Sequence, residues 1–520
     1  MSTTTEKLFE LAAEHFDAGR FTESAGLCDY LVQQHPDDPD AWFILGLARL
    51  RLNRPPESSA EAFERASKLD PDNPLILCEY AGALLSAGRI LPAIPAIRKF
   101  LQFDPGKPTH WSTLLYLLNF LPDDDPIAIR DQHADWHRQY VQPQFGAIEP
   151  YPNDRAPDRR LKIGYVSPDF RNHCQSFFTL PLLSHHDHAA FEIFCYSSAA
   201  HPDDWTARLQ KSADVWRSVS SETDEALARQ IRHDGIDILI DLTMHMAGGR
   251  PMLFARKPAP IQVAWLAYPG TTGLPEIDYR LTDPHLDPPG ERDSWYAEKS
   301  IRLPDTFWCY DPADDQTPVN PLPALTNGFI TFGCLTNFNK VNDQTIALWA
   351  SVLRKTPNSR LLLLTPREWQ QQYILQRIGD LADRVDFVGL QPRDKYLRLF
   401  HRFDVGLDTF PYNGHTTTLD SLWMGVPVLT LFGKTAVSRA GLSLLSNLRL
   451  ESQTVAATAD EYLQLALNFS NNFTDLAQLR QTLRQRMQKS PLMDAPRFAK
   501  NIEAAYRQMW RHFCRNPSGT

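Results

Sequence analysis

Asp408-Thr409-Phe410-Pro411-Tyr412-Asn413-Gly414-His415-Thr416-Thr417-Thr418-Leu419-Asp420 is the stretch on which the reading of this chain turns. An apolar run ends at Asp408, Pro411 and Gly414 mark a turn, and a helix opens at His415-Thr416-Thr417. Strand, turn and helix N-terminus in that order form the unit of a doubly wound α/β sheet. Such sheets hold ligands beyond the carboxyl ends of their strands, with anions at a helix N-terminus, where free N–H groups and the helix dipole favour negative charge. The threonine hydroxyls add donors, which is the make-up of a diphosphate site. Asp420, one turn further on, is placed to accept bonds from two ribose hydroxyls. A helix merely capped by its threonines is the other reading of the same residues.

The surroundings repeat the pattern. Apolar runs at 161–166, 191–196, 236–242 and 261–266 alternate with helical stretches, and a second series comes at 329–332, 360–364, 385–388, 405–408 and 427–431. Buried strands separated by helices indicate parallel sheets covered on both faces. Two series joined around 311–326 predict two Rossmann-like lobes facing a cleft. The first spans 161–310 on the acceptor side and the second 325–495 on the nucleotide side. A terminal helix over 496–520 is expected to pack back on the first lobe.

Before residue 142 the chain is helical and repetitive. Three turns end alike: His35-Pro36-Asp37-Asp38-Pro39, Asp70-Pro71-Asp72-Asn73-Pro74 and Asp104-Pro105-Gly106-Lys107-Pro108. A period of about 34 residues with a helix-ending proline is the mark of tetratricopeptide repeats. Trp42, Leu45, Gly46, Phe63 and Ala66, with Ala81, Ala93, Leu11 and Ala12 at matching phases, fall at the seam between paired helices. Such an array either holds a peptide or partner helix in its groove or only caps the neighbouring domain. Helical stretches at 109–121 and 125–141 complete a repeat domain over 1–142, and a proline-rich linker spans 143–160.

Composition sets outer limits. The 520 residues carry 53 basic and 62 acidic side chains, a net charge of −9, and 43% are apolar. That balance argues against broad contact with nucleic acid, which needs clustered cations. No apolar run is long enough to span a membrane. The N-terminus lacks a signal core, so a cytoplasmic protein is expected. Seven cysteines lie scattered singly, as buried thiols of a reducing compartment do. No metal site is expected; Asp123-Asp124-Asp125 reads as a turn and helix cap.

Several further residues come directly after strands. Lys340 ends Gly333-Cys334-Leu335-Thr336-Asn337-Phe338-Asn339-Lys340, where its charge can neutralise a departing diphosphate. His173 follows the first strand and His245 the third, in positions suited to proton transfer or hydrogen bonding. Tyr268-Pro269-Gly270-Thr271-Thr272-Gly273 is a glycine-bracketed loop that allows backbone to approach a ligand.

These motifs together resemble a known family. From about residue 161 to 510 the chain is similar to the catalytic region of protein O-linked N-acetylglucosaminyltransferases, glycosyltransferase family 41. The stretches 164–173, 258–273, 331–340 and 408–425 carry the likeness, and the preceding tetratricopeptide repeats match the family's layout. The resemblance implies a glycosyltransferase-B fold. It also implies inverting transfer of N-acetylglucosamine from UDP-GlcNAc to Ser or Thr hydroxyls of acceptor proteins, with no metal and no cofactor. On that basis His173, His245 and Lys340 are the catalytic set; Lys340 stabilises the leaving diphosphate, and the two histidines act as acid/base or orienting groups. His415, Thr416 and Thr417 bind diphosphate and Asp420 binds ribose, while Asn337, Gln391 and Arg393 complete the nucleotide-sugar set.

Two departures leave alternatives open. Met244-His245-Met246 stands where bacterial relatives carry Gly-His-Thr, so the acceptor pocket is bulkier and the acceptor can be Ser/Thr or Asn, the latter with UDP-glucose. Thr282-Asp283 and Tyr506-Arg507-Gln508-Met509-Trp510 also resemble SPINDLY-type protein O-fucosyltransferases, which use GDP-fucose. The run His415 to Asp420 favours UDP. A scaffold that only senses a nucleotide sugar is the non-enzyme alternative, and the retention of His173, His245, Lys340, His415 and Asp420 disfavours it.

Overall fold

The computed structural model describes residues 3–123, 125–146, 148–313 and 316–515, which fall into two units, 1–121 and 122–520. The first is a row of helices: α1 (Thr3–Asp17), α2 (Phe21–Gln34), α3 (Pro39–Arg51), α4 (Pro56–Leu69), α5 (Pro74–Ser86), α6 (Ile90–Phe103) and α7 (Pro108–Leu117). Each repeated turn uses its two prolines differently. Pro36, Pro71 and Pro105 come after the C-caps His35, Asp70 and Asp104, where a helix must stop for want of an N–H. Pro39, Pro74 and Pro108 open the next helix at a position whose N–H would be unpaired anyway. Asp38 and Asn73 cap two of those helices by accepting backbone N–H bonds. The indole N–H groups of Trp42 and Trp111 repeat one bond, to the carbonyls of Pro36 (2.9 Å) and Pro105 (3.1 Å).

Ala12, Leu45, Phe63, Ala66, Ala81 and Ala93 are buried, but Leu11 is 41% exposed, so at that phase the seam takes the small Ala12 instead. Gly46 of α3 lies against the ring of Phe63 in α4, and a Cβ there would sit 2.6 Å from a ring carbon. Because Phe63 is fully buried it cannot swing aside. Gly46→Ala is expected to destabilise the repeat unit by about 1–3 kcal/mol, the usual cost of overpacking. Urea unfolding of the full chain checks it, and an unchanged first transition would contradict it.

The second unit holds two parallel sheets. The first runs β3-β2-β1-β4-β5-β6-β7, with β1 (Leu161–Ser167), β2 (Phe191–Ser197), β3 (Val215–Ser218), β4 (Ile238–Asp241), β5 (Ile261–Ala264), β6 (Tyr279–Thr282) and β7 (Lys299–Arg302). The second runs β10-β9-β8-β11-β12-β13, with β8 (Thr331–Cys334), β9 (Arg360–Leu364), β10 (Val385–Val388), β11 (Val405–Leu407), β12 (Val428–Leu431) and β13 (Val455–Ala456). This is the two-lobed, glycosyltransferase-B architecture.

Four strands lie outside the apolar runs of the sequence. β3 and β7 are half-exposed edges rich in polar residues, and β13 has two residues. β6 is buried but carries Arg280, whose charge hides the strand; its guanidinium is neutralised by Asp287 at 2.8 Å and bonds the Gly270 carbonyl.

The helix Ala495–Arg515 packs on the first lobe through Phe498 against Trp265, the hydroxyl pair Tyr506–Tyr165 (3.1 Å) and the Trp510 indole on the Ala156 carbonyl. Residues 122–142, which the repeat pattern joins to the helical domain, belong to the second unit instead. There α8 (Pro126–Trp136) is capped by Asp125, which accepts the N–H groups of Ile127 and Ala128. Asp124 lies outside the described residues. Its neighbour Asp125 acts as a cap, and no described helix is long and apolar enough to cross a membrane.

Candidate active site

The loop after β11 is built around Asp408. Its Oδ1 accepts the N–H groups of Thr409 (2.9 Å) and Gly414 (2.7 Å), and its Oδ2 accepts the Thr430 hydroxyl (2.8 Å). Thr409 bonds the Tyr412 carbonyl and Asn413 bonds the Thr409 carbonyl, which closes the loop on itself. Only glycine fits at 414, since a Cβ would lie 2.5 Å from the Thr418 hydroxyl. The next helix, Thr416–Trp423, has His415 at its N-cap and no side chain capping it, which leaves its first N–H groups without an intrahelical partner; Thr416 and Thr417 stand half-buried at this start, and the Thr417 hydroxyl meets that of Thr336 at 3.1 Å.

Lys340 comes from the short turn Phe338–Lys340 after β8. Its Nζ donates to the Asn413 carbonyl at 2.7 Å and lies 4.0 Å from the Tyr412 ring centre. Burial pushes its pKa down to about 8, against the opposing pull of Asp408. The same burial raises Asp408 to about 6. A lysine and a carboxylate thus share a desolvated pocket beside an open helix N-terminus. His415 is wedged between Trp308 and Tyr412, and burial and Lys340 keep it neutral. Its Nε2 is buried with no hydrogen-bond partner, a polar atom poised for a ligand.

The two lobes meet here. Burial raises the pKa of the Cys174 thiol, after β1, and Thr416 and Lys340 of the second lobe pull it down. Asp283, after β6, accepts the Ser443 hydroxyl of the second lobe at 2.6 Å, and Arg439 donates to the carbonyls of His285 and Leu286. His173, beside Cys174, has Nδ1 3.6 Å from Asp169, and burial lowers its pKa while Asp169 opposes the shift.

His245 is placed differently. It is 2% exposed, its Nε2–H donates to the Thr272 carbonyl at 2.7 Å, and its ring is packed by Trp136 and His133 of α8. Desolvation holds its pKa near 4, so it is neutral. The structure does not bring His245 to the open cleft; it joins α8 to the loop 268–273. That loop is in turn held by Glu298, which accepts the Thr271 hydroxyl (2.8 Å) and the Thr272 N–H (2.6 Å). Met244 beside it is buried with φ +52°.

Of the nucleotide-sugar set, His415, Thr416, Thr417 and Asp420 share one helix start. Asp420 is buried and already engaged: Arg393 forks onto it with bonds of 2.6 and 2.7 Å, and the Tyr310 hydroxyl donates to Oδ1. Asn337 is exposed and caps the turn bearing Lys340, and Gln391 is exposed at the end of the turn leading to Arg393. Sequence reasoning missed Tyr310, Glu298 and Cys174. Glu298 stands just before β7 and Tyr310 after it, in weakly patterned stretches where no local signal marks them.

Comparison with known proteins finds two kinds of match along the chain. The model of a family described as glycosyl transferase family 41 matches residues 105–316 and 322–502, and a tetratricopeptide repeat model matches 9–58 and 56–108. A Petunia hybrida protein named probable UDP-N-acetylglucosamine--peptide N-acetylglucosaminyltransferase SPINDLY is 38% identical over 425 residues, 80% of this chain and 45% of its own length. A protein of Arabidopsis thaliana with the same enzyme name and the designation SEC is 33% identical over 68% of this chain and 38% of its own. The chain spans about half the length of the curated relatives it matches. Among solved structures, a mutant of Thermobaculum terrenum O-GlcNAc transferase superposes with a TM-score of 0.82 at 34% identity, covering 100% of both chains.

Proposed function

The chain belongs to glycosyl transferase family 41, and on that premise we propose that it transfers N-acetylglucosamine from UDP-GlcNAc to hydroxyls of acceptor proteins. The observation that carries the reading is the uncapped start of the helix Thr416–Trp423 with Lys340 beside it. In this proposal the donor diphosphate takes the N–H and hydroxyl donors of Thr416 and Thr417 and the free Nε2 of His415. The ribose diol competes for Asp420, now held by Arg393 and Tyr310, while Asn337 and Gln391 line the nucleotide's path. The acceptor hydroxyl oxygen bonds to the anomeric carbon as the bond from that carbon to the phosphate oxygen breaks. The electron pair leaves on UDP, where Lys340 neutralises it. His173, on the acceptor side, takes the hydroxyl proton. His245 acts one layer back, setting the loop 268–273, and the repeat unit holds the acceptor chain.

The test is thermal shift with nucleotides. UDP should raise Tm by mass action while GDP does so far less. Stabilisation by GDP and not UDP would move the donor to GDP-fucose. Lys340 and the helix start fill the part that a divalent cation plays elsewhere, so transfer is expected to persist in excess chelator. Loss of transfer on chelation, restored by manganese, would refute this.

A further inference from the structure

Away from the cleft, a cavity of about 610 Å³ lies beside the free edge of the first sheet, between β7 and the helix Ala495–Arg515. Tyr279 of β6, Ile301 of β7 and Met509 give it an apolar floor. Its rim is cationic: Lys299 on the strand, and Arg507, Arg511 and Arg515 on the helix, with His512 among them. Among the described residues no acidic side chain lines it. The arginines recur at every fourth residue and so form one ridge along the helix.

Their charges are largely uncompensated. Arg507 donates only to the carbonyls of Pro157, Arg159 and Ala190. Arg511 pairs with Asp158, which is itself solvent-exposed. Among the described residues the side chains of Lys299 and Arg515 make no ion pair or hydrogen bond. In a chain of net charge −9 this concentration runs against the average.

We propose that this groove is a docking site for an acidic amphipathic helix of a partner protein. In α/β folds helices cover the sheet faces, and a helix laid alongside Ala495–Arg515 continues that layer over β6 and β7. Its apolar stripe takes the floor and its carboxylates, one turn apart, meet the arginine ridge, which is recognition by a helix in a groove. A nucleic acid fits less well: its phosphates have no use for the apolar floor, and the chain as a whole carries a net charge of −9. The proposal is independent of the activity assigned to the cleft.

The experiment is fluorescence anisotropy of the full chain with a labelled three-heptad peptide carrying Leu at the apolar positions and Glu elsewhere. Its counterpart with Lys for Glu is the control. The acidic peptide is expected to bind, more weakly as salt rises, and the control not to bind. In the double variant Lys299→Glu, Arg515→Glu affinity should fall about tenfold or more, with Tm unchanged because neither side chain has a partner in the fold. Equal binding to the variant, or no binding at low salt, overturns the proposal and leaves Lys299 as a lysine that guards a sheet edge. Displacement of the peptide by a single-stranded oligonucleotide or anionic vesicles at lower charge equivalents overturns it in favour of those ligands.

Discussion

Lys340→Ala is expected to lower kcat by about 10²- to 10³-fold, the usual loss when one pre-organised charge-stabilising group is removed. As the bond to the sugar breaks, negative charge builds on the diphosphate, so a fixed cation stabilises the transition state more than the ground state. The pocket around Lys340 makes this sharper. Its ammonium is desolvated beside Asp408, and burial pushes its pKa down to about 8. In the nucleotide-free protein the cation is therefore lost as pH rises through about 8, and kcat/KM should fall there, since that quantity reports the free enzyme.

Stability moves the other way. The folded pKa lies below the unfolded value near 10.5, so the buried cation costs stability at every pH below about 8, and the cost fades between 8 and 10.5. Lys340→Met should thus hold or raise Tm at neutral pH while losing turnover, and Lys340→Arg should restore only part of the rate, its guanidinium being broader. Steady-state kinetics with Tm as control decide the matter, and a loss under about fivefold would remove Lys340 from the chemistry.

Asp420→Asn should act on both binding and folding. In the nucleotide-free protein its carboxylate is buried and accepts the fork of Arg393 and the Tyr310 hydroxyl. Neutralising it leaves Arg393 with its contacts to Tyr310, Pro312 and the rings of Phe177 and Tyr396. Breaking a buried pair from one side typically costs about 3–5 kcal/mol, and the 30% exposure of Arg393 places the expectation at the lower end. Tm should drop by several degrees without ligand, and the UDP-induced rise should vanish. Arg393→Gln separates the two effects, because it keeps the carboxylate and frees it for the ribose. A variant Asp420→Asn that keeps both its Tm and its nucleotide shift would show the residue to be a bystander.

The parts of the fold legible in the sequence are those written in local pattern. The paired prolines of the repeats, the apolar runs of β1, β2 and β9, and the strand–turn–helix around Asp408 each state their geometry within a dozen residues. Lys340, Thr416 and Thr417 could be placed near one another because all come after strand ends of one sheet. The sequence hides pairing across distance. Arg393 and Asp420 read as two separate nucleotide contacts, yet they bind each other, and the hydroxyl that completes them comes from Tyr310 at the end of the first lobe. His245 reads as a cleft residue because it comes after β4. Only the packing of Trp136 and His133, more than a hundred residues earlier, shows it enclosed. Edge strands such as β3 and β7 escape for a simpler reason: half their side chains meet water, so no apolar run marks them.

The helix Ala495–Arg515 lends its apolar face to the first lobe although the whole second lobe precedes it in the chain. During synthesis, domains ordinarily fold in the order in which they leave the ribosome. Here the first lobe emerges with the surface around Tyr165 and Trp265 uncovered and stays so until its last piece has been translated. The second lobe can close its own core in the meantime. A premature stop near codon 495 would therefore damage the half of the molecule made first, exposing its tyrosines and tryptophans to chaperones and proteases while the later half remained folded.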